Sequence, residues 1–490
     1  MQVDVQRAQT SQEPPIRSVA RPLTVAKTPI DELIDADRRL TRLVFAHVLG
    51  ATWWLVFGTF VGLYLSLKFV WPELDDVRYL AFGRLRPVHT NTVFWGWASE
   101  AMVGLAYYVV PRTCRRELYS YRLGWAALAL MFLSVVLGNG ALMAGFNNGA
   151  QEYREYVWPA MLPFGLSLGV TAYNFYMTVA GRTTREIYIS NWYIVAALLW
   201  TMTLAVIAYL PFYQRGLGQT IIQGYYMHQG VGMWFTPMVL GLCYYFLPKL
   251  LNKPIYSYSL GVLAFWTQMA FYTMIGSHHF LFSPIPWWLQ TVAVVFSVGM
   301  IVPVVAGTAN FLLTLRGSGH VLRTSYAVPF ILVGLVYYFL GSMQGTLEAL
   351  RSLNLIWHFS HYTVGHSHIT MYGFVTFLIW GGVYGLLPRL SGREAPQLSI
   401  GIHFWLAFVG VLIYGVSLSI GGTLQGLSWQ SGAPFLESVT LLVPYFVWRA
   451  VGGTLMFGSH ILFAFNVWRM LPMKASNAAA TARREVSHAA

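Results

Sequence analysis

The chain has 490 residues, 56% hydrophobic and 10% charged. Soluble domains average about 25% charged residues, so the composition excludes an ordinary soluble protein and indicates an integral membrane one. A formal net charge of +13 suggests a nucleic-acid partner only until the basic residues are placed along the chain, where they mark one side of a membrane.

Residues 1–44 are polar, carry Pro14, Pro15, Pro22 and Pro29, and lack an apolar signal-like core. They read as a mostly disordered cytoplasmic tail leading into a short amphipathic stretch near 30–43, not as a cleaved signal. Twelve apolar stretches follow, each near the ~20 residues that a spanning helix needs. They fall at about 45–70, 90–111, 124–146, 160–181, 191–213, 222–247, 258–283, 288–315, 326–346, 363–388, 400–421 and 439–467. Residues 45–470 are therefore expected to form one all-α, twelve-helix membrane domain, with 471–490 a second polar tail. Every even-numbered connection is basic, from Arg112, Arg115, Arg116 and Arg122 to Arg389 and Arg393, and both tails are basic too. That side holds 23 of the 31 Lys and Arg residues, which puts both termini in the cytoplasm and leaves no polyanion site. Cys114 and Cys243 are the only cysteines, too few for a disulfide framework or a thiolate metal site. No CxxCH motif occurs, so any haem is held non-covalently. There is no solenoid-type repeat.

Thirteen histidines are present. His320 and His488 read as solvated residues of a loop and a tail. His47, His403 and His460 are single histidines in apolar helices and read as hydrogen-bonded packing groups. The others cluster. His89 opens the second helix in RLRPVHTNTVFWGW, His228 lies near the start of the sixth in QGYYMHQGVGMWF, and His278 and His279 lie deep in the seventh. His366 and His368 open the tenth in TVGHSHITMYGF. Ionisable groups at membrane depth suggest a functional site, and neutral imidazole is a usual ligand for copper and haem iron. At about 100° per residue, His366 and His368 point about 200° apart, so they cannot easily share a metal but can each serve a different haem. A loosened helix turn would aim His278 and His279 at one ion, with His228 as third ligand. Three imidazoles leave an open coordination position, which is the catalytic pattern. His89 is left to pair with one of the tenth-helix histidines across a low-spin haem.

At these residues, and in YYVVPRTCRREL, QEYREYVWP, YYFLPKLLNKPIYSYSL, GSHHFLF, VGHSH, GTLQGLSWQ and PYFVWRAVGG, the chain resembles the catalytic subunit of haem–copper oxygen reductases. The resemblance is to their C family, the cbb-type cytochrome c oxidases, and covers about residues 40–470. It implies a twelve-helix bundle, in agreement with the hydropathy count. It also implies that His89 and His368 are axial ligands of a low-spin haem b, His366 the proximal ligand of a high-spin haem b, and His228, His278 and His279 the ligands of one copper ion. In the A and B families a redox-active tyrosine follows the first copper histidine by four positions, where this chain has Gly232. In the C family it stands six before the histidine pair, as Tyr272 does, and is cross-linked to the first copper histidine, here His228.

The resemblance further implies a bacterial inner-membrane enzyme that reduces dioxygen with electrons from cytochrome c, coupled to proton translocation. Since no haem c motif is present, membrane-anchored c-type cytochrome subunits are the implied partners. Arg449, in PYFVWRAVGG, is expected to pair with a haem propionate, because guanidinium matches a carboxylate bidentately. Glu152 resembles a carboxylate near a calcium ion that bridges the propionates; Glu155 lies beside it, and Val157 stands where the family often has a third acid. Tyr244, Tyr245, Tyr256, Ser257 and Tyr258 are candidate polar steps of a proton path toward Tyr272, although an interfacial aromatic belt explains each singly. His358 and His361 are expected to form hydrogen bonds at the outer surface; the family commonly has a histidine at His358. Two other readings stand beside this one. A nitric oxide reductase would use the same haem histidines with non-haem iron and added carboxylates, but Gln229 follows His228 and the eighth helix holds no Asp or Glu. A metal-free transporter with a histidine proton relay fits poorly with the two-faced His366–His368 pair.

Overall fold

A computed structural model describes residues 30–74, 77–149, 151–210 and 215–472. All regular structure among them is helical. The long elements are α1 (Ile30–Lys68), α2 (Phe82–Asn91) continuing into α3 (Ser99–Cys114), α4 (Tyr121–Ala144), α5 (Trp158–Ala180) and α6 (Ile189–Tyr209). Next come α7 (Leu217–Gln229) continuing into α8 (Thr236–Leu251), α9 (Tyr258–Tyr272), α10 (Trp287–Gly299), α11 (Ile301–Leu315), the short α12 (Val321–Thr324) and α13 (Ala327–Glu348). Short α14 (Arg351–Trp357) precedes α15 (His361–His368), which continues into α16 (Phe377–Ser391), and α17 (Gln397–Gln430) and α18 (Phe435–Arg469) close the bundle.

Nine helical stretches among the described residues are long and apolar enough to cross a membrane. The other three expected spans are helical but fall outside those criteria. α9 has only 15 residues, whereas α2–α3 and the 23-residue α5 are long enough but less apolar. The expected amphipathic stretch 30–43 and the first span form one helix, α1. His488 and most of both tails lie outside the described residues.

Burial separates core helices from lipid-facing ones. The most apolar windows of Leu217–Leu251 and His361–Ser391 are each 89% buried, whereas those of the other seven spans are 39–50% buried. The outer helices instead present Trp53, Phe60, Trp405 and Trp448 outward, as a helix facing hydrocarbon does. The two central helices are those that carry His228, His366 and His368.

Three π-helical turns follow directly on histidine-bearing helices: Thr92–Ala98 after α2, Gly230–Phe235 after α7 and Ile369–Thr376 after α15. A π turn inserts a residue into the helical ladder and frequently marks a functional site. Here each one lets the helix below it pack at a phase independent of the histidine above it.

Candidate functional site

The seventh span is not continuous. α9 stops at Tyr272, and His278 and His279 sit in a 3₁₀ turn, Gly276–Phe280, which is the loosened turn that two adjacent ligands require. Glycines explain how it meets α7. A Cβ on Gly224 would stand 2.7 Å from the Gly276 carbonyl oxygen, and one on Gly276 would stand 2.7 Å from Tyr225 Cα. Backbone thus rests on backbone, and His228 is brought to the pair. One ligand nitrogen from each of His228, His278 and His279 lies within 4.8 Å of the others. Metal–imidazole bonds of about 2.1 Å in tetrahedral array would place those atoms about 3.4 Å apart, so closure on an ion asks for a shift of about 1 Å.

The tautomers suit a metal. Ser297 Oγ donates to the Ala293 carbonyl at 2.6 Å and therefore accepts from His278 Nδ1 at 2.7 Å. That leaves the His278 Nε2 lone pair free, the usual arrangement of a ligating histidine. His228 Nδ1 is buried with no hydrogen-bond partner among the described residues.

Tyr272 ends α9 with its ring centroid 5.1 Å from that of His228, at an interplanar angle of 76°. A Cβ on Gly232 would overlap the Tyr272 ring. The ring therefore occupies the space above position 232, so a side chain there and Tyr272 exclude one another. Gln229 Nε2 donates to the Tyr272 carbonyl and Gln268 Nε2 to the Gly232 carbonyl at 3.0 Å. These bonds clamp α9 to the π turn below His228.

Two adjoining cavities complete the site. One, of about 600 Å³, is lined by the three histidines and Tyr272 on one side and by His366 on the other. The second, of about 390 Å³, is lined by His89, His368, Arg86 and Arg449. His366 and His368 thus face different cavities, as their expected angular separation requires. The His89 and His368 rings are 6.2 Å apart between centroids and 16° from parallel. Nδ1 of each faces a backbone carbonyl, Gly58 at 2.7 Å and Val364 at 2.8 Å, which leaves each Nε2 for the space between them. Ser360 begins α15 by accepting from Tyr362 N at 3.2 Å. Just before it, Phe359 adopts φ 65°, a strained turn for a bulky residue in the wall shared by both cavities.

Arg449 is buried, donates from Nε to Tyr414 Oη at 3.1 Å, and lies 4.4 Å from the Phe69 ring centroid. Arg86, which sequence reasoning passed over, joins it at the second cavity and makes an ion pair with Glu152. Glu155 Oε1 is 3.9 Å from Arg86, and Glu155 Oε2 accepts from Asn91 at 2.8 Å. Burial raises the Glu155 carboxyl to about 7, against the lowering effect of the Asn91 hydrogen bond and of Arg86.

Several expectations are corrected. His358 and His361 are half-buried: His361 is hydrogen-bonded as expected, with Nδ1 2.9 Å from Gln425 Oε1, and lines the second cavity, while His358 lines the first, 6.2 Å from His279 between centroids. Glu348, the last residue of α13, is buried in the wall of the first cavity with Oε1 unpartnered among the described residues. A carboxylate therefore does reach this space, from a helix other than the one searched for it. Its only sequence signal was a lone acid ending an apolar run. Tyr256 and Tyr258 are exposed and fit an aromatic belt, but Tyr244 is fully buried, 3.4 Å from Asn310 Nδ2, with its ring centroid 5.3 Å from that of Tyr193 at a tilt of 30°. Ser257 caps α9, and Tyr245 packs edge-on to Tyr108. His403 and His460 are hydrogen-bonded as expected, whereas His47 packs on Tyr107 with neither ring nitrogen hydrogen-bonded among the described residues.

Fold and site together define a membrane-spanning helical bundle with a histidine cluster at its core able to hold a metal ion. Residues 42–455 match the family model "Cytochrome C and Quinol oxidase polypeptide I". The chain is 33% identical to "Cbb3-type cytochrome c oxidase subunit CcoN1" of Stutzerimonas stutzeri, over 85% of this chain and 92% of that one. It is 31% identical to "Cytochrome c oxidase subunit 1 homolog" of Agrobacterium tumefaciens (strain T37), over 86% and 81%. Its fold is similar to a heme-copper terminal oxidase dimer solved by cryo-EM, with a TM-score of 0.75 at 17% identity, covering 89% of this chain and 85% of that one. The chain belongs to the cytochrome c and quinol oxidase polypeptide I family, the catalytic subunits of haem–copper terminal oxidases. Within it the chain is a membrane-bound cytochrome c oxidase subunit similar to the cbb3 type, and a nitric oxide reductase is not favoured.

Proposed function

We propose that His228, His278 and His279 hold one copper ion, that His366 binds a high-spin haem b facing it, and that His89 and His368 bind a low-spin haem b from its two faces. The observation that carries this reading is the division of His366 and His368 between two adjoining cavities, the first of which also contains the three-histidine cluster. The fit is quantitative at the second cavity. Two metal–nitrogen bonds of about 2.1 Å plus the ring radii set imidazole centroids about 6 Å apart across an iron, and those of His89 and His368 are 6.2 Å apart.

When bound, these metals supply the electrons and the site for reducing dioxygen to water. The chain's own groups do the rest. Tyr272, whose ring lies beside that of His228, would supply a proton and an electron from its phenol. Ser297 fixes the His278 tautomer and Tyr414 orients Arg449, and Arg449 and Arg86 would pair with the carboxylates of a haem held in the second cavity. Tyr193, Tyr244 and Asn310 are buried steps for protons toward Tyr272. A calcium ion at Glu152 does not fit: calcium takes 6–8 oxygen ligands, and the Arg86 guanidinium holds the position a cation would take.

Cytochrome c is the electron donor and dioxygen the substrate. Membrane-anchored c-type cytochrome subunits deliver the electrons, proton translocation accompanies the reaction, and the chain crosses the bacterial inner membrane twelve times with polar tails 1–44 and 471–490 in the cytoplasm. Ion-pair Arg112–Asp37, at 2.6 Å, lies at that end.

Metal content of the purified protein, read with a haemochrome spectrum, tests the assignment. One copper per two b haems, with no iron beyond haem, is the expected result; non-haem iron in place of copper would make the reductase the better reading. A second expectation concerns Gly62, whose Cβ would stand 2.6 Å from His89 Nδ1. Gly62→Val is expected to displace His89 and remove the low-spin haem spectrum while copper stays. A retained low-spin spectrum would show that His89 is not its ligand.

A further inference from the structure

α10 holds the histidine turn at two places. Its buried residues, Gln290, Ala293 and Ser297, lie at spacings of three and four and so share one face of the helix. Ser297 meets His278 Nδ1 at 2.7 Å. Gln290 lies seven residues earlier, about 10.5 Å along the axis, and meets the chain beyond His279. Its Oε1 accepts from Phe282 N at 2.9 Å, and its Nε2 donates to the Ser283 carbonyl at 3.2 Å and the Ile285 carbonyl at 2.9 Å. The side chain is 2% exposed and lines neither cavity.

The segment that Gln290 binds cannot hold its own shape. Residues 281–286, between the 3₁₀ turn and α10, have no regular structure, and Pro284 and Pro286 lack N–H groups. Phe282 stands at φ 64°, a conformation that a bulky residue keeps only where its surroundings impose it. The Phe282 ring is exposed, so the constraint acts on the backbone. There Gln290 takes the Phe282 N–H and the next two free carbonyls on its own side, Ser283 and Ile285.

We infer that Gln290 is a positioning residue of the three-histidine cluster. By holding the return at Phe282 it fixes the register of α10 on the turn, and that register brings Ser297 to His278 Nδ1. The inference deepens the assignment of the cluster to copper and rests on it. With Ser297 in place, Nδ1 carries the proton and Nε2 keeps its lone pair for the ion. Without Gln290 the strained return relaxes, α10 shifts against the turn, and the His278 tautomer loses the acceptor that sets it.

Gln290→Leu keeps most of the bulk and removes all three bonds; Gln290→Met does the same and serves if the first variant does not assemble. In the complete oxidase with its partner subunits, copper affinity is measured by competition with a copper chelator of known affinity, and the haem spectra are recorded alongside. Affinity is expected to fall at least tenfold, the scale for groups that support metal ligands, with both haems retained. Two combinations separate positioning from lost packing. Because Gln290 acts through Ser297, adding Gln290→Leu to Ser297→Ala should cost less than a further twofold, whereas independent effects would multiply. Because glycine adopts positive φ freely, Phe282→Gly in the Gln290→Leu chain should recover affinity at least threefold. A chain that had only lost packing would gain nothing from losing a second side chain. Unchanged copper affinity, multiplying losses, or no recovery with glycine overturns the inference. A wild-type oxidase without copper overturns the assignment of the cluster, and the inference with it.

Discussion

Tyr272→Phe is expected to lower oxygen reduction by on the order of 10²-fold or more, the scale of a lost proton-transferring group in catalysis, while copper and both haems stay bound. The phenylalanine ring would still fill the space over Gly232, so α9 and the π turn below His228 keep their contact. Gln229 and Gln268 still clamp the backbone, because both bond to carbonyl oxygens and not to the phenol. What disappears is the phenol hydroxyl of the ring beside His228, and with it the proton and electron that the proposed role requires. Oxygen uptake, metal content and the mass of a peptide joining residues 228 and 272 are the measurements. Undiminished oxygen uptake with normal metals would sink the role given to Tyr272.

How much of this was legible in the sequence depends on the kind of information each feature needs. Apolar runs are local, so the helices and the side on which basic residues gather could be read directly. The His366–His368 separation was legible because two residues on one helix differ by a fixed angle, and the cavities lie on the two sides it demands. His278 and His279 were read as a loosened turn within the seventh span, whereas α9 ends before them and they sit in a separate 3₁₀ turn. The end of α9 at Tyr272 depends on Gly276 meeting Gly224 some fifty residues earlier in the chain, and no local pattern records that contact.

Other features were invisible for similar reasons. π turns leave no periodic signature, since one inserted residue in an apolar helix changes nothing in composition. Glu348 and Arg86 look like charges at helix ends, where charges are common; only the fold shows that both line the cavities. His358 and His361 were read as surface groups because they lie just upstream of the tenth span; the short helix α14 and the turn at Phe359 bring them to the cavity walls. Spacing identifies groups on one element well, but groups that meet across elements are found only when a family pattern or a structure supplies the pairing.

That difference makes Gly276→Ala the sharpest test of how the three histidines are assembled. No ligand is touched, yet the added methyl would stand 2.7 Å from both Tyr225 Cα and the Gly224 carbonyl carbon. Neither atom is the end of a flexible side chain, so α7 and the turn must separate. His228 rides on α7 while His278 and His279 ride on the turn, so the separation acts directly on a cluster whose ligand atoms already span 4.8 Å. Copper affinity is expected to fall by roughly 10–100-fold, as it does when groups supporting metal ligands are removed. His89, His366 and His368 lie on α2 and α15, so the haem spectra should persist. Gly401→Ala is the matched control, because that glycine in α17 has no heavy atom within 4 Å of the added methyl. Copper and haem are counted in both variants. Full copper in Gly276→Ala would mean that the backbone contact between α7 and the turn does not set the geometry of the three histidines.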